Sequence, residues 1–202
     1  MFMEDITGRP FNSKSLEGIE GNPYLLPDWS WGAVKFKNGK FAKDLSLHFS
    51  TYNNTLYFKK GNDQQEFVQP VNEFMLGYLN GADSVARIFR NGFPATESTK
   101  EETFFELLTD GKFQLLKLYT KKVTSFKPYN QAEQKKFSET QELYLLAPGK
   151  KMMKLKKDKK ALLNDLPDYA NQIEAVLQAN NIKLKSEQSF QQLFALLNKT
   201  AG

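Results

Sequence analysis

The sequence predicts a mainly β fold of the α+β class: an antiparallel hairpin meander forming a curved sheet or incomplete barrel, with an extended N-terminal arm and two or three C-terminal helices packed on it. Three observations carry this expectation. Five turn pairs, Asn38-Gly39, Asn53-Asn54, Asn80-Gly81, Asp110-Gly111 and Pro148-Gly149, separate short β-branched and aromatic runs, and Gly and Asn tolerate the positive φ of tight hairpins. Within LSLHFS, Leu45, Leu47 and Phe49 alternate with Ser46, His48 and Ser50, the pattern of a half-buried strand. After Lys157 the apolar spacing becomes helical.

The organisation expected is one domain over 1–202, divided into an arm (1–28), a β body (29–157) and a helical segment (158–199). The arm carries Gly8, Pro10, Gly18, Gly21, Pro23 and Pro27 without helical periodicity, which suits an extended path across the body. Its apolar points are Phe11, Leu16, Tyr24, Leu25 and Leu26. Trp29 and Trp31 join Tyr24 in an aromatic knot whose expected role is to pin the arm to the core, because each ring buries a large area for few rotatable bonds. In the body, KFQLLKLYT alternates less cleanly than LSLHFS, so both faces of that strand are expected to be covered, by the helices that follow. Asn91-Gly92 before FPATEST opens a loop rather than a hairpin.

In the helical segment, Asp158 is placed to cap a short helix through ALLNDL that Pro167 stops. Asp168 is placed to cap YANQIEAVLQA, with Tyr169, Ile173, Val176 and Leu177 as one stripe, and Asn180-Asn181 ends it. Ser186 caps the last helix, whose apolar side is Phe190, Leu193, Phe194 and Leu197. Helices this short are unstable alone in water, so the stripes should dock on the sheet or on one another.

Charge is concentrated in one place. The formal net charge is +5, yet residues 150–160, KKMMKLKKDKK, hold seven lysines and one aspartate, and the rest of the chain has 21 basic against 22 acidic residues. Lys150, Lys154, Lys156, Lys157, Lys159 and Lys160 therefore form the one candidate anion-attracting surface. As a strand the run places Met153 and Leu155 on one face, with Lys150, Met152, Lys154 and Lys156 on the other. The arginine forks and stacking aromatics of nucleic-acid recognition are missing around it, so a solvated flank that guards a sheet edge is the expected role, and no specific nucleic-acid partner is expected.

Chemistry is sparsely signalled. The absence of cysteine excludes disulfides, thiolate nucleophiles and cysteine-ligated metals. There is no Gly-rich phosphate loop, G-x-S-x-G elbow or H-E-x-x-H helix, and no cofactor, metal or catalytic residue is expected. His48, the only histidine, is expected to be exposed on the polar face of its strand. Glu102 and Glu106 are expected to share a strand face on either side of Phe104 as ordinary solvent contacts, with a carboxylate pair as the catalytic alternative. No apolar run approaches the ~20 residues of a bilayer-spanning helix.

The string GNPYLLPDWSWGAVKFKNGKFAKDLSLHFSTYNNTLYFKKGND, then FVQPVNEF, and later FFELLTDGK, YLLAPGK and a lysine-rich link to paired helices, resembles a family of exported Bacteroidetes-type bacterial proteins of unknown function. The resemblance implies a periplasmic or secreted location with the signal peptide removed; a cytosolic chain is the alternative, since no charged-then-apolar leader precedes MFMEDITGRP. It carries over no catalytic residues. The functional expectation is a noncatalytic binding or scaffold protein of the cell envelope, partnered by a protein or another envelope component. Its rivals are a carrier of an apolar ligand in a half-open barrel and a carboxylate-dependent hydrolase. A filled core with a flat apolar patch favours the first, a large apolar void the second, and converging carboxylates in a polar cleft the third.

Overall fold

A computed structural model describes residues 6–10, 16–129 and 132–200. The chain is mainly β, with 45% strand and 18% helix, and its sheet is antiparallel-dominated and unclosed. Contacts divide the chain into two compact units, one formed by 1–92 with 119–141 and the other by 93–118 with 142–202.

The first unit contains β1 (Gly8–Pro10), β2 (Ile19–Glu20), β3 (Ser30–Phe36), β4 (Phe41–Ser50), β5 (Thr55–Lys60), β6 (Asp63–Phe67), β7 (Val71–Asn80) and β8 (Asp83–Arg90). They run in the order β1-β6-β5-β4-β3-β7-β8, all antiparallel, with β2 apart. Turns at Gly39, Asn54 and Gly81 have φ of 82°, 55° and 63°, where the sequence placed them. A further hairpin, β5–β6, turns at Gly61 with Lys60 opposite Asp63; its second strand, DQQEF, is too polar to show as a strand by alternation. One β4 residue is also irregular: Gly32 pairs Leu45 and Val34 pairs Ala42, so Lys43 and Asp44 oppose Ala33, and Asp44 takes φ 57°, a β-bulge.

The inner face of this sheet is filled by aromatic rings. Phe49, Phe74 and Phe89 lie with centroids 4.9–5.4 Å apart, and Phe36 and Phe58 flank Phe67; all but Phe67 are at most 2% exposed. Each such ring contributes roughly 2–3 kcal/mol of burial.

The arm is more structured than an extended lead. Its β1 pairs antiparallel with β6 and its β2 pairs parallel with β11, while Phe11 lies outside the described residues. Leu25 N–H donates to Phe49 O at 2.9 Å and Tyr24 bridges Ser50, so the arm lies over the second face of β4. This corrects the expected polar face: His48 and Ser50 are 6% and 2% exposed, because the arm replaces water there.

The second unit contains β9 (Phe105–Thr109) and β12 (Met153–Lys154), with helices α1 (Lys159–Asp165), α2 (Ala170–Ala179) and α3 (Glu187–Thr200). It shares β10 (Gln114–Phe126) and β11 (Gln134–Leu146) with the first, since both strands run from one unit into the other. As expected, the sheet here is covered on both faces. Phe113, Leu115, Leu143 and Leu145 meet Leu162, Ile173, Leu177, Phe190, Leu193, Phe194 and Leu197 from the helices. Leu116, Leu118 and Tyr144 meet Phe93, Phe105 and Met152 on the other face. The amide of Asn198 fixes α3 to the β9–β10 turn, accepting from Phe113 N–H at 2.8 Å and donating to Phe113 O and Asp110 O at 2.9 and 3.1 Å.

Two of the three expected caps form. Asp158 Oδ1 accepts from Ala161 N–H at 2.7 Å, and Ser186 and Ser189 exchange reciprocal side-chain to backbone bonds at 3.2 and 3.3 Å. Asp168 does not cap α2: Pro167 forces a 3-10 turn over Pro167–Tyr169, the N-cap position falls on Tyr169 without a side-chain bond, and Asp168 instead holds Lys150 at 2.7 Å.

Candidate interaction surface

Three of the seven lysines of the run are engaged with carboxylates of their own unit. Lys150 pairs with Asp168, Lys159 with Glu174 at 3.0 Å, and Lys154 with Glu142. Lys156, Lys157 and Lys160 are exposed and have no carboxylate within 4.0 Å among the described residues. Only Met153–Lys154 is strand. Met153 and Leu155 do share the helix-covered face, but the opposite face is apolar too: Met152 is 6% exposed and joins the cluster of Tyr144 and Phe105. On that face Glu142 accepts from the Tyr144 hydroxyl at 3.1 Å as well as from Lys154, and Ser98 Oγ lies 3.0 Å from the same hydroxyl. Since the carboxylate only accepts, Tyr144 donates to it and accepts from Ser98, which fastens the loop after β8 to β11. Burial pushes the Tyr144 phenol above its usual pKa.

The carboxylates expected to pair do not. Glu102 lies in the turn before β9, off the strand, while Glu106 is 9% exposed and sits opposite Lys117 in the ladder. Lys117 binds Glu187 of α3 at 2.8 Å, and Glu106 is buried rather than on a solvent face. Among the described residues no three His, Asp or Glu side chains are grouped to hold a metal ion.

His48 is the second correction. It is buried under the arm, stacked on Tyr24 at 3.5 Å and tilted against Trp29 at 4.9 Å. Its Nε2 lies 3.0 Å from Leu26 O, which can only accept, so Nε2 carries the proton and Nδ1 is buried without a partner. Desolvation lowers its pKa, against smaller opposing effects of Leu26 O and Asp28. Two members of the aromatic knot thus pin the arm, as expected. Lys121 completes the latch by donating to Asn22 O at 3.1 Å, Asn22 Oδ1 at 3.3 Å and Tyr24 O.

Trp31, opposite Ser46 in register, shares the His48 face of the sheet but stands half-exposed over Gly77, and it marks the surface that sequence reasoning missed. Register places Trp31, Gly77 and Ala86 in one row across β3, β7 and β8, Ala33, Met75 and Ile88 in the next, and Lys35, Glu73 and Arg90 in a third. The indole lies directly on Gly77: a Cβ there would fall 2.1–2.3 Å from three of its ring carbons. Trp31 is 50% exposed, Ile88 42% and Leu79, on the same face of β7, 72%. Phe41, 51% exposed opposite Lys35, extends the rim with the ammonium 5.5 Å from its ring. Arg90 Nε donates to Glu73 at 2.6 Å and closes that border with charge. An exposed apolar centre bordered by charge is the anatomy of a protein-binding patch. The alternation WxA in β3 and MxGxL in β7 carried the signal, but only the register brings them together.

No protein-family model, curated protein or solved structure matches this chain.

Proposed function

We propose that this protein is a noncatalytic binding or scaffold module of the bacterial cell envelope, and that it holds a protein partner on the outer face of β3-β7-β8. The observation that carries the reading is the half-exposed Trp31 lying on Gly77 beside Met75, Leu79 and Ile88. Tryptophan is the side chain most enriched at binding hot spots, where truncation costs ~2 kcal/mol or more. The inner face, meanwhile, is filled by phenylalanine rings, which supports a scaffold over a carrier. The envelope assignment rests on the family resemblance.

The test is retention of an envelope component by immobilised protein. Leu79→Asp and Ile88→Asp, at exposed positions, should weaken retention about thirtyfold, equivalent to ~2 kcal/mol, while unfolding free energy stays within ~0.5 kcal/mol. Undiminished retention by both variants would sink the proposal, and lipid released on denaturation would favour the carrier instead.

A further inference from the structure

A cleft of about 560 Å³ opens in the second unit where Lys159 of α1 and the C-terminal half of α2 meet residues 182–185. The chain enters this segment through Asn181 at φ 51°. Ile182 N–H then donates to Leu177 O at 2.9 Å, tying the segment to the end of α2. Burial alternates from there: Ile182 and Leu184 pack against the helix-covered core, while Lys183 and Lys185 are exposed. The lining is therefore divided between an apolar floor, Leu177, Ile182 and Leu184, and a basic wall, Lys159, Lys183 and Lys185.

The charge balance of that wall favours an anion. Its one carboxylate, Glu174, is held by Lys159 at 3.0 Å, whereas Lys183 and Lys185 have no carboxylate within 4.0 Å among the described residues. The negative end of α2 offsets them less, because three of its last carbonyls, those of Val176, Leu177 and Gln178, already accept N–H bonds. Val176 O accepts from the backbone and side-chain amides of Asn180 at 3.2 and 2.9 Å, and Gln178 O accepts from Asn181 N–H at 3.3 Å. Two uncompensated ammonium groups above an apolar floor complement a molecule with one anionic end.

We propose that this cleft binds an organic carboxylate with an aliphatic body, the chain resting on Leu177, Ile182 and Leu184 and the head group meeting Lys183 and Lys185. The site is independent of the outer sheet face of the first unit, so either reading can fail alone. It also singles out Lys159 from the lysine run: the ion pair with Glu174 keeps its ammonium from the ligand.

Calorimetric titration of the whole protein with octanoate and with 1-octanol, at low salt, tests the proposal. Octanoate should bind at least tenfold more tightly than the alcohol and than inorganic phosphate. The doubly substituted Lys183→Glu, Lys185→Glu protein should lose at least tenfold in octanoate affinity, and Glu174→Gln, which frees Lys159, should gain severalfold. Equal binding of octanoate and octanol would reduce the cleft to apolar surface, and equal binding of phosphate would reduce it to charge; either overturns the proposal, as does no measurable octanoate binding or an unchanged affinity in the double variant.

Discussion

Gly77→Ala is the sharpest probe of the outer sheet face, because a single methyl group is aimed at the indole of Trp31. The new Cβ would lie 2.1–2.3 Å from three ring carbons, far inside van der Waals contact, so the ring has to lift. A tryptophan buries roughly 150–250 Å² when covered, and Trp31 is 50% exposed, so about 100 Å² of it rests on the sheet. At ~25 cal/mol per Å² that contact is worth up to ~2.5 kcal/mol. Replacing glycine by alanine in a strand returns roughly 0.5–1 kcal/mol of backbone entropy, which leaves a net loss of about 1.5–2 kcal/mol. The assay is denaturant unfolding combined with tryptophan emission, in a Trp29→Phe background so that one indole reports. The variant should unfold at lower denaturant and its native emission should shift to the red. An unchanged midpoint together with an unmoved emission maximum would refute the placement of the indole on Gly77.

Two further predictions concern the arm. His48 has a folded-state pKa below the ordinary ~6.5, so below that pH the unfolded chain takes up a proton that the folded chain resists; its contribution to stability is complete above about pH 6.5 and is lost as pH falls toward the lowered value. Unfolding measured between pH 7.5 and 5 should show this loss, and His48→Phe, which keeps a ring under Tyr24, should flatten it; an equally steep dependence in the variant would refute the assignment. Lys121→Met leaves the carbonyls of Asn22 and Tyr24 without their donor, at a cost of about 1–3 kcal/mol, and should make the arm between Gly21 and Pro27 more sensitive to limited proteolysis. An unchanged cleavage rate would show that the latch does not hold the arm.

The hairpins were legible because their determinants are local. A glycine or asparagine at positive φ is needed whatever lies elsewhere in the chain, and Gly39, Asn54, Gly81, Gly111 and Gly149 all take it. The stripe Phe190, Leu193, Phe194 and Leu197 was equally plain, since each residue recurs at helical spacing and each is fully buried. Asp168 misled for a related reason: its sequence position suits an N-cap, but Pro167 tightens the turn before α2 and Lys150, 18 residues upstream, takes the carboxylate.

Sequence alone determined where the strands turn, which helix faces are apolar and where the net positive charge resides, all of which depend on spacing along the chain. Tertiary structure decided what covers each face. Alternation gives a strand two sides but does not say whether water, an arm or a helix meets the second one, and so His48 and Glu106 are buried where polar faces were expected. The candidate surface depended on the same decision, because Trp31, Gly77 and Ala86 become one row only through strand register, and register is set by pairing between segments that are distant in the chain.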